Sequence, residues 1–544
     1  MYRSDYNWWL HLENDKHIGT LIVIVFLAVL PSCTAVQEET AFNRVVDYYR
    51  SEGDTLKMRA AEFLRDNARW HYGECRQLNR PFTVSYTDIL DCPETKKDSV
   101  FEAYLDSMGY SITKGAVIWD VDTITDEFLR ENIDLAFDSW SKPWARDVSF
   151  DDFCKYILPY RNGDEELSGW RRMLKERYEP SIMDSVADPT SHRQVVYYIM
   201  RQIRRDVEYG GSMGLFAHKL LPPSLILQLH WLECANCAHY TTLAMRACGI
   251  PCAMIEIHWR FTEVQHSTVL FPAVGSNQRD YRLSVGDTLI YMGEPKDTMA
   301  AWRVWEYDYE VDRNRVDLYD TYGDKTILRQ QVWPVTLSDV TSKMCRTYDF
   351  SMLVPDSLRN HSFFFLCRFH KWRWLPVREG KVDGDSVRFH DATIRQWYRL
   401  GYVNGDSIRT FGPAFTLLGD DGIADIKDRI RPYDLSGDTI LFRLAYRDRL
   451  KEPEMRRTIT TNYWGSDQRW HALTGEAILW GFNPATGEYR EYDEGLGNKG
   501  FRSDFHLLDV RLPRWTVFYD EGLGNPFGFL KPDEDTGEGC LMQF

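Results

Sequence analysis

The period of the hydrophobic pattern changes partway along the 544-residue chain, and this change limits the fold more than any other feature. Before about residue 253, apolar residues recur at helical spacing, as at Phe42, Val45 and Tyr49. After it, short alternating runs are separated by Gly, Asp and Pro, which is typical of antiparallel strands. The sequence therefore predicts a multidomain α+β protein with an α-helical N-terminal lobe and C-terminal antiparallel β-sandwich-like domains.

Several segments are specific enough to place individual elements. A second helical stripe, Leu56 to Leu64, follows Asp54, and Pro189 is expected to open an amphipathic helix that runs to Ile203. Residues 123–175 keep the helical character and are rich in aromatic side chains. The predicted strands are Tyr281–Leu283, Arg303–Tyr309, Ser362–Phe369, Ser386–His390, Thr439–Ala445 and Trp515–Tyr519.

These patterns divide the chain into five regions. The predicted regions are a signal peptide at 1–33, an aromatic-rich helical domain at 34–185, a core at 186–300, a β-sandwich-like domain at 301–430 and a β-rich domain at 431–544. No long linker marks the joins, so the boundaries rest on the change of period alone.

Composition excludes several classes of protein. The net charge is −16 and no basic block is present, which argues against nucleic acid as a partner. With 44% hydrophobic and 27% charged residues, the chain is neither disordered nor fibrous. Eleven cysteines are too few for a disulfide scaffold in a chain of this length.

The N-terminal segment has the features of a secretory signal. Lys16 and His17 precede a largely apolar run, Ile18–Leu30, that is too short to span a bilayer as a helix but suits a signal h-region. The following Pro-Ser-Cys33 resembles the lipobox of bacterial lipoproteins, in which the cysteine is acylated. We expect Cys33 to be the lipidation site of a protein in the bacterial cell envelope. The alternatives are a signal-anchor and a buried segment of a cytosolic protein.

Seven residues, YDEGLGN, occur twice near the C-terminus, at Tyr492–Asn498 and Tyr519–Asn525. Their carboxylates could bind calcium, although each copy offers only two. The alternative is a strand end followed by a glycine-supported turn.

The segment Glu233–Pro251 is the richest in chemistry. Its composition favours a helix that begins near Cys234 and ends at Gly249 and Pro251. At a helix N-terminus, unpaired N–H groups and the helix dipole favour a thiolate, so Cys234 is the candidate nucleophile.

Other readings of this segment stay open. Four cysteines, Cys234, Cys237, Cys248 and Cys252, have a spacing close to that of a zinc site, but a continuous helix separates the two pairs. We expect the last three to be small buried hydrophobic residues and predict no bound metal. His266, which opens an apolar strand downstream, is the candidate base. The other histidines considered for this role are His230, His239 and His258.

The combination of Cys234, Ala238, Arg246 and Gly249-Ile-Pro, followed by His266-Ser on a strand, resembles the transglutaminase-like, papain-related superfamily. The fifteen-residue step from cysteine to glycine fits Cys234 and excludes Cys237. Much of the chain also resembles transglutaminase-like lipoproteins of Bacteroidetes. The segments that carry this wider resemblance are Asn132–Trp140, Phe150–Arg161, Asp339–Thr341 and Trp374–Val377.

The resemblance implies a Cys-His-Asp site in which an Asp on the strand after His266 orients the imidazole. Asp287 is the choice for this role, although Ser284 occupies the position expected for the acid. Glu233 stands where the family often has glycine, and its charge opposes a low pKa of the thiol. Gln228 is considered as an oxyanion donor.

The implied activity is thiol acyl transfer or amide hydrolysis on peptide or protein substrates, without a cofactor. The alternative is a catalytically inactive surface protein that binds peptide or glycan through its aromatic-rich domains. In both cases the lipid anchor supplies the contact with the membrane.

Overall fold

A computed structural model describes residues 40–79, 100, 103, 107, 109, 111–210, 219–259, 265–275, 277, 279–283, 289–291, 301–322, 335–370, 373–393, 397–417, 423–425 and the strands named below between 439 and 543. The helices are α1 Ala41–Ser51, α2 Thr55–Ala68, α3 Asp120–Thr123, α4 Asp126–Trp140, α5 Phe150–Tyr156, α6 Trp170–Tyr178, α7 Ile182–Ser185, α8 His192–Asp206, α9 Pro223–Leu229, α10 Cys234–Ala247 and α11 Arg313–Tyr322.

The strands up to residue 307 are β1 Tyr72–Leu78, β2 Ile112–Trp119, β3 Glu208–Tyr209, β4 Trp231–Leu232, β5 Ala253–Trp259, β6 Gln265–Phe271, β7 Tyr281–Leu283, β8 Leu289–Tyr291 and β9 Ala301–Tyr307. Those from 337 to 425 are β10 Leu337–Asp339, β11 Thr347–Leu353, β12 Phe363–His370, β13 Arg373–Asp383, β14 Ser386–Thr393, β15 Trp397–Asn404, β16 Ser407–Leu417 and β17 Ile423–Asp425. The remainder are β18 Thr439–Arg447, β19 Thr460–Trp464, β20 Trp470–Ala472, β21 Ala477–Asn483, β22 Glu488–Glu491, β23 His506–Pro513, β24 Thr516–Asp520, β25 Asn525–Pro532 and β26 Gly539–Gln543.

The α+β prediction is confirmed, because helices dominate up to residue 247 and antiparallel sheets follow. Each of the six predicted strands is present: Tyr281–Leu283 has the predicted bounds, and the other five differ by one to three residues at one or both ends. The N-terminal region is not wholly helical, however. Strands β1 and β2 pair there as an antiparallel two-stranded sheet, which the helical pattern on either side did not indicate.

Side-chain caps fix where the helices begin. Thr40 and Asp54 accept hydrogen bonds from backbone N–H groups in the first turns of α1 and α2. Ser191 does the same for α8 by accepting from the N–H of Gln194. The expectation that Pro189 opens this helix is therefore wrong, because the serine cap sets the start at His192. In α2, Ala60 and Leu64 are buried, as the stripe predicts, but Leu56 in its first turn is 43% exposed.

A six-stranded antiparallel sheet, in the order β10-β9-β5-β6-β7-β8, follows α10. Its two faces pack against different neighbours. Met254, Val269 and Phe271 belong to the large core formed with the helices. Ile257 and Leu270 belong to a second cluster on the opposite face. The sheet is thus covered on both faces at its centre, and α10 lies against the first of them.

A seven-stranded antiparallel sheet, in the order β11-β14-β13-β12-β15-β16-β17, packs beside the six-stranded one. On β12, Phe364 and Leu366 face a core within this sheet. Phe363 and Phe365 point the other way and pack with Trp305 of β9. This alternation gives β12 apolar contacts on both faces, as expected of a central strand.

Buried charges join the two sheets at the same place. Asp339 of β10 accepts hydrogen bonds from Arg303 of β9, at 3.1 Å, and from Arg378 of β13. Glu379 accepts from Arg315 of α11 at 3.0 Å. Burial raises the pKa of Asp339, but Arg378 and Arg303 lower it more, so the net pKa lies well below its usual range. The carboxylate is therefore held in its charged form between guanidinium groups.

Beyond residue 439 the described strands form a four-stranded sheet, β20-β19-β18-β23, and a five-stranded sheet, β22-β21-β24-β25-β26, both antiparallel. The second YDEGLGN copy begins at the end of β24 and ends at the start of β25, where Asp520 pairs with Asn525. The first two residues of this copy thus end β24 and its last residue begins β25, while residues 521–524 lie outside the described residues. The first copy, Tyr492–Asn498, lies outside the described residues.

The buried charge network yields a stability prediction. Asp339→Asn leaves Arg303 and Arg378 without their shared carboxylate, and losing one partner of a buried ion pair costs about 3–5 kcal/mol. We expect the midpoint of urea unfolding to fall accordingly. Asp356→Asn is the control, because its ion pair with Arg359 is exposed and is worth at most about 1 kcal/mol. Equal effects of the two substitutions would contradict the account.

Candidate functional site

Helix α10 begins where the sequence predicts, at Cys234. Glu233 is its N-cap, and the Glu233 carboxylate accepts from the N–H of Ala235 at 3.0 Å and from the side-chain amide of Asn236 at 3.1 Å. Asn236 in turn donates to the Lys219 carbonyl at 2.7 Å. These contacts fix the first turn of α10, and with it the position of the Cys234 thiol.

The other end of α10 is equally constrained. Gly249 has a φ of +78°, and a side chain there would lie 2.4 Å from the Ser139 carbonyl oxygen. Only glycine fits this close approach between α10 and α4. The Ser139 hydroxyl also donates to the Ala247 carbonyl at 2.7 Å, which satisfies an unpaired group of the last turn.

A cavity of about 60 Å³ lies between α8, α10 and the strands β6 and β7. Cys234 and His266 both line it, so the structure brings together the two residues singled out as nucleophile and base. Most of the remaining wall is apolar. The other lining residues are Met200, Ile203, Val207, Tyr209, Cys237, Ala238, Thr241, Ser267, Thr268, Val269 and Leu283.

The sulphur of Cys234 has three polar groups around it. Its S–H lies 3.7 Å from Oε2 of Glu233, and the backbone N–H groups of Ser267 and Ala235 are close enough to lower its pKa. Burial raises the pKa of the Cys234 thiol, and the Glu233 charge raises it further, while the Ser267 N–H lowers it. The net pKa is above the usual thiol range. At rest the group is therefore a neutral thiol that donates to Glu233.

His266 occupies the start of β6, where it pairs with Ile257 of β5. Alternate residues of a strand lie on the same face of the sheet. His266 is therefore on the face of Leu270, whereas Ser267 is on the face of Val269, which packs against the helices. The contact of β6 with Cys234 is thus made by Ser267, and His266 enters the cavity wall beside it. Among the described residues no hydrogen bond between the His266 imidazole and the Cys234 thiol is found.

The charge state of His266 is set by its surroundings. Partial burial lowers the pKa of the imidazole, and the nearby Arg282 on β7 lowers it further. A positive charge on His266 is thereby disfavoured, so the ring is neutral at pH 7. A neutral imidazole is the form that accepts a proton.

Two of the predicted site residues cannot be placed. Asp287 follows β7 in a segment outside the described residues, and Cys33 lies in residues 1–39, which are also outside. Phe271 of β6 pairs with Tyr281 of β7. The Asp280 carboxylate accepts from the Ala273 N–H at 2.8 Å and closes the connection between these strands.

The alternative histidines have structural surroundings. His239 is fully buried in α10 and its Nε2 lies 3.1 Å from the Leu221 carbonyl oxygen. Nδ1 of His230 lies 2.6 Å from the Asp206 carbonyl oxygen, and Nε2 of His258 lies 2.7 Å from the Glu256 carboxylate. Gln228, considered as an oxyanion donor, is exposed on α9 and is not among the cavity-lining residues.

The cysteines behave differently from one another. Cys248 and Cys252 are fully buried, as expected for small core residues. Cys237 packs against the same core but is only partly buried and lines the cavity with Cys234, so the expectation of burial holds for it only in part. Its spacing of three residues from Cys234 was the available signal, because residues at i and i+3 share a helix face.

Two features, a metal-binding cluster and a membrane-spanning helix, are absent from the described residues. No group of three or more His, Cys, Asp and Glu side chains there is arranged to hold a metal ion. Within the same residues, no helix combines the length and the apolar composition needed to cross a membrane.

Comparisons with known proteins do not assign the chain to a family. The sequence matches no protein-family model and no curated protein. Among solved structures it is similar to a "putative protease" from Parabacteroides distasonis ATCC 8503, with 14% sequence identity and a TM-score of 0.15. The matched region covers 22% of this chain and only 30% of that protein's length.

The contact between Glu233 and Cys234 yields a prediction. Glu233→Gln keeps an acceptor oxygen for the helix cap but removes the charge that raises the thiol pKa. We expect Cys234 to react with iodoacetamide severalfold faster at pH 7, since each pKa unit changes the thiolate fraction about tenfold. The rate is measured by mass spectrometry of the peptide that contains Cys234. Glu176→Gln, on the exposed side of α6, is the control and should leave the rate unchanged.

Proposed function

We propose that the chain is a cell-envelope thiol enzyme of the transglutaminase-like type, acting on amide groups of peptide or protein substrates. One observation carries the proposal. Cys234, the first residue of the buried helix α10, shares a cavity with His266, and the backbone N–H of Ser267 lies close enough to its sulphur to lower the thiol pKa. A thiol, an imidazole and a backbone donor at one cavity are the parts required for acyl transfer.

The residue roles follow from this arrangement. Cys234 attacks the substrate carbonyl and forms a thioester, while His266 accepts the thiol proton and returns it to the leaving amine. Asp287 is proposed to orient the imidazole. Water as the second acceptor makes the reaction a hydrolysis, and an amine makes it a cross-link. No residue of the cavity identifies an amine site, so hydrolysis is the expected outcome, and no cofactor takes part.

The resting thiol also has a consequence for the mechanism. Because Glu233 and burial keep Cys234 protonated, the thiolate must form as the proton moves to His266 rather than before the substrate arrives. The imidazole lies at the start of β6 beside the residue that contacts the sulphur. The proposal therefore requires the imidazole to come within hydrogen-bond distance of the Cys234 sulphur in the substrate complex.

A second candidate function is favoured by a specific observation. The raised pKa of Cys234 suits a chain that has kept the fold but lost the chemistry. In that case the protein binds peptide or glycan through aromatic surfaces. Tyr72 and Trp119 are exposed and stack edge to face on the β1–β2 sheet, with ring centroids 5.3 Å apart. The acylation experiment below separates the two functions.

Acylation of the thiol tests the first proposal. We expect p-nitrophenyl acetate to acetylate Cys234 selectively in the folded protein and Cys234→Ala to abolish the adduct. His266→Ala should slow acetylation at pH 7 by about 10²–10⁴-fold, the usual contribution of a general base. Both are read from the mass of the tryptic peptide Leu220–Arg246.

His390→Ala is the control for that experiment, because His390 is exposed on β14 and its ring lies 2.7 Å from Asp349. It should acetylate like the parent protein. Equal rates in His266→Ala and the parent would support the inactive binding protein instead.

The pH dependence of the rate at which Cys234 is acetylated tests whether the surroundings of His266 lower the imidazole pKa. The folded pKa of this imidazole is lowered, so it stays neutral below its ordinary value of about 6.5. The acid limb of the acetylation rate should therefore lie below pH 6.5. Arg282→Gln removes a positive charge, raises the imidazole pKa and should move this limb to higher pH. Arg279→Gln, an exposed neighbour, should leave it in place, and the same shift in both variants would contradict the assignment.

The proposed location rests on the N-terminal sequence and has its own test. We expect Cys33→Ala to abolish incorporation of radiolabelled palmitate and to move the protein from the membrane fraction to the soluble fraction. Cys75→Ala, at a cysteine in β1, is the matched control and should incorporate palmitate normally. Unchanged incorporation in Cys33→Ala would rule out lipidation at this position.

A further inference from the structure

Two cysteines line the candidate cavity, although the proposed acyl transfer uses one. Seven cysteines lie in the part of the chain with described side chains. Five of these are buried, and only Cys234 and Cys237 are partly exposed. The two that solvent reaches are thus neighbours on one helix and face one cavity.

Helix geometry brings their backbones within disulfide range. Residues at i and i+3 of an α-helix have Cα atoms about 5 Å apart, from a rise of about 1.5 Å per residue and a radius of about 2.3 Å. Disulfides span Cα separations of about 4.4–6.8 Å. Cys234 and Cys237 occupy the first turn of α10 and both line the cavity, so their side chains lie on the same side of the helix.

The groups around Cys234 and Cys237 disfavour a negative charge on either sulphur, and a disulfide between them carries none. Burial and the Glu233 carboxylate raise the pKa of both thiols, so a thiolate at either position is disfavoured. A disulfide carries no charge and is not repelled by Glu233. The S–H of Cys237 has only a weak acceptor, the Leu232 carbonyl at 3.7 Å, so little is lost when the thiol is consumed.

We propose that Cys234 and Cys237 form a reversible disulfide by exchange with a small-molecule disulfide. The Cys234 sulphur attacks one sulphur of the reagent, which breaks the reagent's S–S bond, forms a mixed disulfide and releases one reagent thiol. The Cys237 sulphur then attacks the Cys234 sulphur and releases the second reagent thiol. The two protein thiols are oxidised, the reagent disulfide is reduced to two thiols, and those thiols carry away both protons.

This exchange does not depend on the proposed acyl transfer, because the disulfide at equilibrium is set by the two thiols and the reagent, and His266 affects only how fast Cys234 loses its proton. If the acyl transfer also holds, the disulfide withdraws the nucleophile and makes the site active only when reduced. Disulfides persist in the oxidising environment of a cell envelope, so oxidation of Cys234 and Cys237 there would control whether the thiol of the site is free.

Peptide mass mapping tests the proposal on the full chain. The folded protein is equilibrated with oxidised glutathione, quenched in acid, alkylated and digested with trypsin. The peptide Leu220–Arg246 contains Cys234 and Cys237 and no other cysteine. We expect it to lose the mass of two hydrogens and to regain it with dithiothreitol. The next peptide, which holds the buried Cys248 and Cys252, is the internal control and should stay reduced.

Variants sharpen the result. Cys237→Ser should stop at the mixed disulfide and keep glutathione on Cys234, whereas His266→Ala should reach the same extent of disulfide at equilibrium as the parent, at a lower rate. Glu233→Gln should form it faster at pH 7, because the thiolate is no longer opposed by a charge. A parent peptide that stays reduced, or that carries glutathione on Cys234 as stably as Cys237→Ser does, would overturn the proposal without bearing on acyl transfer.

Discussion

The burial of α10 is the constraint on which the rest of the structure depends. The helix is buried from Asn236 to Ala247 except at Cys237, so its polar side chains need partners inside the protein. Arg246 donates to the carbonyls of Cys252 and Arg161, and the His239 ring meets the Leu221 carbonyl. These carbonyls lie in connecting segments, after α5, before α9 and before β5 respectively for Arg161, Leu221 and Cys252. The only part of α10 that solvent reaches is its first turn, which is where the thiol lies.

The same first turn holds two opposing influences on Cys234. The helix N-terminus and the Ser267 N–H favour a thiolate, while burial and Glu233 favour a thiol, and the second pair is stronger. Glu233 is held by the Ala235 N–H and the Asn236 amide, so the same carboxylate that starts the helix also restrains the nucleophile. Glu233 therefore both caps α10 and raises the pKa of the Cys234 thiol.

The sequence predicted α10, with its start at Cys234 and its end at Gly249, and the strand that begins beside His266. Local residue spacing and helix capping decide these features. The sequence did not predict β1 and β2, whose pairing depends on residues about 40 positions apart. It also misplaced the start of α8, where the Ser191 cap prevailed over Pro189. The i, i+3 spacing places Cys237 on the same helix face as Cys234, but its partial exposure also depends on where α8 and β7 leave a cavity against α10.

The most direct test of the account is to trap the acyl-enzyme. The protein is incubated with a mixture of peptides, quenched in acid and searched for thioester adducts by peptide mass mapping. The account predicts an acyl group on Cys234 that disappears in Cys234→Ala and accumulates more slowly in His266→Ala. An adduct on another residue, or none in the reduced parent protein, would contradict the claim that Cys234 is the nucleophile.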